Sequence, residues 1–365
     1  MKINILHTET LKKWGGQQNR VLTECIGMSK RGHKMIIACH KGSMLAQRAK
    51  EAGIKVYEVN MVKQAHLLTI PKLIRIIKDE NVDIVSTHSS VDSWAGGIAA
   101  KLTGRKLVRF RHNIYKIGKD PMTRLIYKIP DKIICISDEV KKTMIACGIK
   151  DKNLIVINSS VDTDRFNPEN THGLAKSELS LTEEAVIIGN TSSFTAVKGQ
   201  EFLLKAFNIF SKKISCYLLF ACRMTKDSKA KYLEFVEPTL RNKVIFLGHR
   251  DDIPNILKSL DIFVFPSIVE GLGTALIEAM AMRKAVIVSD IPTFRNFIDD
   301  GINGLFFTPK DPTSLAEKII SLYTDKDLMA KLRENARKTV LKKFSLKKMI
   351  EKTENIYIDV LGKKP

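Results

Sequence analysis

Two glutamates, Glu270 and Glu278, stand with seven residues between them in PSIVEGLGTALIEAMA, residues 266–281. A close pair of carboxylates is the usual equipment for general acid–base work. The same groups also accept hydrogen bonds from the hydroxyls of a ligand. Gly271 and Gly273 lie between them, and glycine lets backbone N–H groups approach a ligand closely. TALIEAMAMRK reads as a helix beginning near Thr274, whose N-terminus suits a phosphate. Glu270 then falls on a loop and Glu278 about one turn into the helix. An ordinary strand–loop–helix connection with two solvated glutamates stays open as the plainer reading.

Three further stretches carry residue types suited to an anionic ligand. SFTAVKGQEFLLKAF puts Lys198 and Gly199 before an amphipathic helix, a place where a lysine reaches a phosphate. TETLKKWGGQQNRVL puts Gly15 and Gly16 on a first strand-to-helix loop. The spacing is not GxGxxG and no acidic residue follows at the dinucleotide position, so a nicotinamide site is disfavoured. VRFRHN sets Arg109, Arg111 and His112 at the end of a strand. Each has a bland alternative: a surface Lys-Gly turn, a Gly-rich loop, a structural histidine.

These residues need a frame. INILH, KMIIACH, KVYEV, VDIVSTH, KLVRFR, DKIICIS and NLIVINS alternate with amphipathic stretches. Strands apolar on both faces, each followed by a helix, predict a parallel sheet covered on both sides with right-handed crossovers. The polar stretch 161–184 interrupts the pattern. AVIIGN, CYLLFAC, KVIFLGH, LDIFVFPS, KAVIVSD and GLFF then restart it, and from 312 onward the chain reads as helix. The expected architecture is α/β: two Rossmann-like domains facing across a cleft, with strand carboxyl ends lining the ligand site. The expected boundaries are 1–165, a linker at 166–184, a second domain at 185–340, and a C-terminal helix at 341–365 packing back on the first domain.

Composition bounds the rest. The chain has 365 residues, 44% apolar and 27% charged, which fits two soluble cores. Its net charge of +21 fits either a Lys-rich solvated surface or a negative partner: phosphorylated substrate, anionic lipid or nucleic acid. Aromatics at 7% and the lack of any nucleic-acid-binding signature exclude the last. The six scattered cysteines form no metal-ligand spacing, so buried free thiols in a reducing compartment are expected. MKINILHTE reads as a strand, not a signal peptide, and no run of about 18 apolar residues spans a membrane. A cytoplasmic protein is expected, free or resting on the inner face of the cytoplasmic membrane. The segment RHNIYKIGKDPMTRLIYKIPDK mixes basic and apolar residues suited to anionic lipid, or equally to an ordinary helix and strand with a solvated basic face.

Together these stretches resemble the retaining, two-Rossmann-domain (GT-B) glycosyltransferases of family 4. VDTDRF at the linker, FLGHRDDIPNIL and DIFVFPSIVEGLGTALIEAMA carry the resemblance with the motifs above. WGGQQNR and STHSSVDSWAGGIAAKLTG look most like members that build lipopolysaccharide or other bacterial surface glycans. The resemblance implies a metal-independent enzyme with no cofactor beyond a nucleotide-sugar co-substrate, UDP- or GDP-linked. Its acceptor would be a glycan or a lipid-linked glycan.

The resemblance also implies roles. Glu270 would bind hydroxyls of the donor sugar, and Glu278 the ribose. Backbone amides around Leu272, Gly273 and Thr274 would hold the diphosphate and sugar, and Lys198 would neutralise the diphosphate. Gly15 and Gly16 would close over the phosphates, His112 would sit beside the sugar ring, and Gly248 to Arg250 would neighbour the base. One departure matters. The family commonly has an arginine five residues before the lysine, where this chain has Ser193. Loss of one stabilising group at a developing anion costs about 3 kcal/mol, and Arg223 is the expected substitute. Ser160 replaces a glycine common in relatives, which puts the linker loop in doubt. An epimerase or hydrolase of the same architecture, and a non-catalytic sugar-nucleotide-binding protein, remain as alternatives.

Overall fold

The structure, a computed structural model, describes residues 1–61, 66–118, 120–174, 176–222 and 224–362. The chain forms two compact units, Met1–Ser159 with Leu346–Pro365, and Ser160–Ser345.

The first unit carries seven parallel strands: β1 (Asn4–Glu9), β2 (Lys34–Cys39), β3 (Lys55–Glu58), β4 (Ile84–Thr87), β5 (Lys106–Arg111), β6 (Lys132–Cys135) and β7 (Leu154–Val156). Between them run helices α1 (Gly16–Lys30), α2 (Met44–Glu51), α3 (His66–Asp79), α4 (Ser90–Leu102), α5 (Pro121–Ile126) and α6 (Asp138–Ala146). The strand order is β3-β2-β1-β4-β5-β6-β7. Along β1 the side chains alternate: Ile5 joins the core that includes Val21 and Met28 of α1, while Leu6 joins the core that includes Ala95 and Ala99 of α4. Both faces are therefore buried, which is why these strands read as continuous apolar runs.

The second unit holds six parallel strands: β8 (Val186–Asn190), β9 (Cys216–Phe220), β10 (Val244–Phe246), β11 (Ile262–Phe265), β12 (Ala285–Ser289) and β13 (Leu305–Phe307). Their order is β10-β9-β8-β11-β12-β13. Its helices are α7 (Gln200–Phe210), α8 (Lys226–Leu233), α9 (Ile253–Ser259), α10 (Thr274–Ala281), α11 (Pro292–Arg295), α12 (Pro312–Thr324) and α13 (Lys326–Lys343). Both sheets reverse direction of winding once, between β1 and β4 and between β8 and β11. Such switch points open a crevice outside the strand carboxyl ends where ligands bind.

Residues 166–174 lie within the second unit because they are tied to it: Lys258 Nζ donates to the Pro168 carbonyl (2.8 Å), and Leu174 N to Ser259 Oγ (2.6 Å). The last helix, α14 (Leu346–Val360), belongs to the first unit. Met349, Ile350 and Tyr357 enter the α1 side of its core, and Glu354 pairs with His33 at 2.7 Å. All six cysteines are free thiols; Cys147 alone is only half-buried. Among the described residues no helix is long and apolar enough to cross a membrane.

Candidate functional site

In the second unit the residues of interest gather at the β8/β11 switch point. Past β8 the chain turns sharply, held by Asn190: its Nδ2 donates to the Val264 carbonyl (2.7 Å) and its Oδ1 accepts from Ser192 N (2.8 Å). Gln200, at the start of α7, donates to the carbonyls of Ser192 and Ser193 and clamps the same turn. Phe194 plugs into an aromatic cluster with Phe220 and Tyr232 at 5.0 and 4.7 Å. These contacts fix the loop that ends in Lys198.

Gly199 brings that loop down onto the loop after β11. Its φ is +66°, and a Cβ there would fall 2.1 Å from the Pro266 carbonyl oxygen. Only glycine combines that backbone with that approach. Ile268 N donates to the Val197 carbonyl at 2.8 Å and joins the two loops. Lys198 and Glu270 consequently meet as an ion pair, in which the Glu270 carboxylate also accepts from Ser267 Oγ (2.9 Å). Thr293 Oγ1 donates to the Glu270 carbonyl (2.7 Å), so the glutamate is held from backbone and side chain alike.

Helix α10 opens at Gly273, whose φ of +88° and whose packing, 3.0 Å from Phe265 and Phe294 ring carbons to a notional Cβ, again require glycine. No side chain caps this helix, so its first amides keep their donors for another acceptor. Leu272 is buried beneath the turn. Glu278 lies on the second turn of α10, half-buried, and its carboxylate has no hydrogen-bond partner among the described residues. Burial pushes its pKa up to about 7, and the charge of Arg165 opposes the rise. Arg165 also donates to the Asp251 carbonyl (2.9 Å), next to Arg250, which forms a two-pronged pair with Asp252 (2.7 and 2.5 Å). Gly248, with φ +73°, turns the chain into that loop. Ser193 is exposed on the clamped turn. Arg223, expected to make up for the missing arginine, lies outside the described residues.

The first unit gathers a different set at the carboxyl ends of β1, β4 and β5. Gly15 caps α1 in extended conformation without a side-chain cap, and Gly16 begins the helix. Behind them Gln18 is 2% exposed with an Nε2 that has no partner among the described residues. Glu9, at the end of β1, accepts from the amides of Thr10 and Leu11 at 2.8 and 2.9 Å; burial, then the nearby Asp92, raises its pKa to about 7.

His112 follows β5, as its place in VRFRHN predicts, but the two arginines do not accompany it. Arg109 is buried against the Tyr127 ring at 3.8 Å, and Arg111 donates to Tyr127 Oη (3.1 Å) and the Tyr115 carbonyl. Both brace the C-terminal end of α5, and Arg111 also ties in the segment before it. His112 instead meets His88, which meets His7: Nε2 of His112 lies 3.0 Å from Nδ1 of His88, whose Nε2 lies 2.9 Å from Nδ1 of His7. Sequence reasoning missed His7, His88, Gln18, Glu9 and Arg165. The available signal for the histidines was one histidine near the carboxyl end of each of three neighbouring strands.

Known proteins match this chain along its length. Residues 174–339 fit the family model described as Glycosyl transferases group 1, and residues 14–165 fit that of Glycosyltransferase Family 4. The UDP-Gal:alpha-D-GlcNAc-diphosphoundecaprenol alpha-1,3-galactosyltransferase of Escherichia coli is 25% identical over 384 residues, covering 100% of this chain and 98% of the relative. A glycosyltransferase of Rickettsia africae superposes with TM-score 0.90 at 27% identity, covering both chains fully. Anabaena HepE in complex with UDP-glucose shares the fold, with TM-score 0.85 at 18% identity over 98% of this chain and 100% of that one. One model covers the unit with the histidine row, the other the unit with the Lys198–Glu270 pair, and on that footing the chain belongs to the family 4 glycosyltransferases of GT-B fold.

Proposed function

We propose that this glycosyltransferase takes its sugar from a UDP-linked donor and passes it to a hydroxyl of a lipid-linked or lipopolysaccharide-type glycan. The observation that carries the donor site is the Lys198–Glu270 pair beside the uncapped start of α10. It sets a cation, a carboxylate and free helix amides around one switch point, which is what a sugar diphosphate needs. UDP-glucose in the Anabaena structure and UDP-Gal in the name of the Escherichia coli relative support uridine. The diphosphoundecaprenol in that relative's name supports a lipid-linked acceptor.

In this reading Lys198 leaves Glu270 when donor arrives. Its ammonium turns to the diphosphate, and the freed carboxylate accepts hydroxyls of the sugar. Amides of Leu272, Gly273 and Thr274 hold the phosphates, Glu278 the ribose, and the Gly248–Arg250 turn flanks the base. On the family resemblance, Gly15, Gly16 and His112 are further donor-binding residues. The acceptor hydroxyl attacks the anomeric carbon from the face the diphosphate leaves, and a departing phosphate oxygen takes its proton. No enzyme nucleophile is used; positioning and charge stabilisation supply the rate. A screen of sugar nucleotides for transfer, with Glu270→Ala as control, tests this; full turnover by Glu270→Ala refutes it.

The acceptor's lipid gives the charge of +21 a use. Tyr115, Met122 and Leu125 are exposed by 64, 61 and 46% beside the exposed Lys116, Arg124 and Lys128. Such a surface rests on anionic lipid. Co-sedimentation with vesicles containing phosphatidylglycerol, but not with phosphatidylcholine alone, is the expected result; no lipid-dependent pelleting sinks the idea.

A further inference from the structure

His7 and His88 take no part in the donor site as described, yet they form a continuous row with His112. His7 and His88 are buried, and His112 is half-buried. The His7 and His88 rings stack with centroids 5.2 Å apart, and the His112 ring is tilted by 32° to His88 with centroids 5.3 Å apart. Phe110 stacks on His88 at 4.8 Å and seals one side. The far end of the row is Glu24: its Oε1 is 3.7 Å from His7 Nε2 and accepts from Tyr357 Oη (2.7 Å), while its Oε2 faces Arg20 Nε at 3.3 Å. At the near end, Nδ1 of His112 has no hydrogen bond among the described residues.

A neutral imidazole has one N–H and one bare nitrogen. Burial holds all three rings neutral: it lowers the pKa of His7, takes that of His88 well below the ordinary value, and brings that of His112 to about 3. Two inter-ring hydrogen bonds with one N–H per ring leave only two arrangements. In one, every N–H sits on Nδ1: His7 turns a bare Nε2 toward the Glu24 carboxylate and His112 presents an N–H. In the other, every N–H sits on Nε2: His7 points an N–H at Glu24, and His112 presents a bare Nδ1. The first sets a lone pair against a carboxylate oxygen in a dry interior, where such opposition is costly; the second sets a donor there.

We propose that Glu24, acting through His7 and His88, fixes His112 as the Nε2–H tautomer, so that His112 offers the donor sugar a hydrogen-bond acceptor and reads a hydroxyl. His7 and His88 are thus positioning residues. The inference rests on the proposed place of His112 beside the donor sugar, but its first test does not.

That test is a long-range 1H–15N correlation spectrum of the full chain labelled at histidine, near neutral pH and without donor, with His112 assigned from His112→Gln. The expected result is His112 as the Nε2–H tautomer. An Nδ1–H tautomer, or a pattern averaged between the two, overturns the proposal. His7→Phe keeps a ring in the core and cuts the link to Glu24. It is expected to mix the His112 tautomers and to lower kcat/KM for transfer about tenfold, the worth of one hydrogen bond, while UDP affinity stays unchanged. Unmixed tautomers in that variant also overturn the proposal. If His7→Phe does not fold, the wild-type spectrum decides. An Nε2–H spectrum in a protein that transfers no sugar would refute the functional reading and leave the row intact.

Discussion

Replacing Glu278 by Gln exchanges a half-buried acid for its neutral isostere, and the structure gives the consequence a sign. The folded-state pKa of Glu278 is raised from 4.5 to about 7, first by burial, with Arg165 opposing. A group raised in this way favours the folded state below its unfolded value, and that contribution is lost as pH rises through about 7. The full shift corresponds to about 3 kcal/mol; water reaches part of this side chain, which reduces it to about 1–2 kcal/mol. At about pH 8 Glu278→Gln should therefore melt roughly 2–8 °C higher than wild type, and at about pH 4 the two should coincide. Ligand binding should show the opposite preference. Ribose hydroxyls favour the carboxylate, so UDP binding draws the proton off. Between about pH 6 and pH 8 the wild-type Kd for UDP should fall about tenfold more than that of the variant, whose remaining slope belongs to the phosphates. Thermal melts and calorimetric titration at both pH values in paired buffers read both effects. Equal melting at pH 8 with parallel pH slopes for UDP would refute the assignment of Glu278 to the ribose.

Lys198→Ala should cut kcat about 100-fold, by loss of one charge at a departing anion, and Lys198→Arg should restore part of it; steady-state kinetics with the same donor check both. Gly199→Ala should cost about 2–3 kcal/mol through its positive φ and its approach to the Pro266 carbonyl, and denaturant unfolding would register it. Because Gly199 positions Lys198, that variant should also lose turnover in the fraction that folds. Arg109→Leu should destabilise the first unit, since it removes the cation stacked on Tyr127, with UDP affinity unaltered in a titration.

Strand composition made the fold readable. Residues buried on both sides of a sheet, such as Ile5 and Leu6, are mostly apolar, so the apolar runs mark the strands among the described residues. The Glu270 loop was readable too, because a positive φ such as that of Gly273 can be met cheaply only by glycine. What stayed hidden depends on register between distant strands. His7, His88 and His112 lie up to 105 positions apart and meet only because β1, β4 and β5 are neighbours. The arginines of VRFRHN looked like ligand groups by type and position. Tertiary packing decides otherwise, giving both to Tyr127. The stretch after 165 looked like a linker because it is polar and Pro-containing, yet Lys258 and Ser259 bind its backbone to the second unit.

The central claim is donor-dependent glycoside formation with retention at this site. The direct measurement incubates the full chain with UDP-galactose, UDP-glucose and their N-acetyl forms, with and without a short-chain polyprenyl-diphosphate sugar as acceptor. Products are read by mass spectrometry and the new linkage by NMR. The account predicts a product one sugar heavier than the acceptor, an α-linkage from an α-donor, and loss of that product in Glu270→Ala. A β-linkage, a donor epimer, or hydrolysis that ignores the acceptor would contradict it.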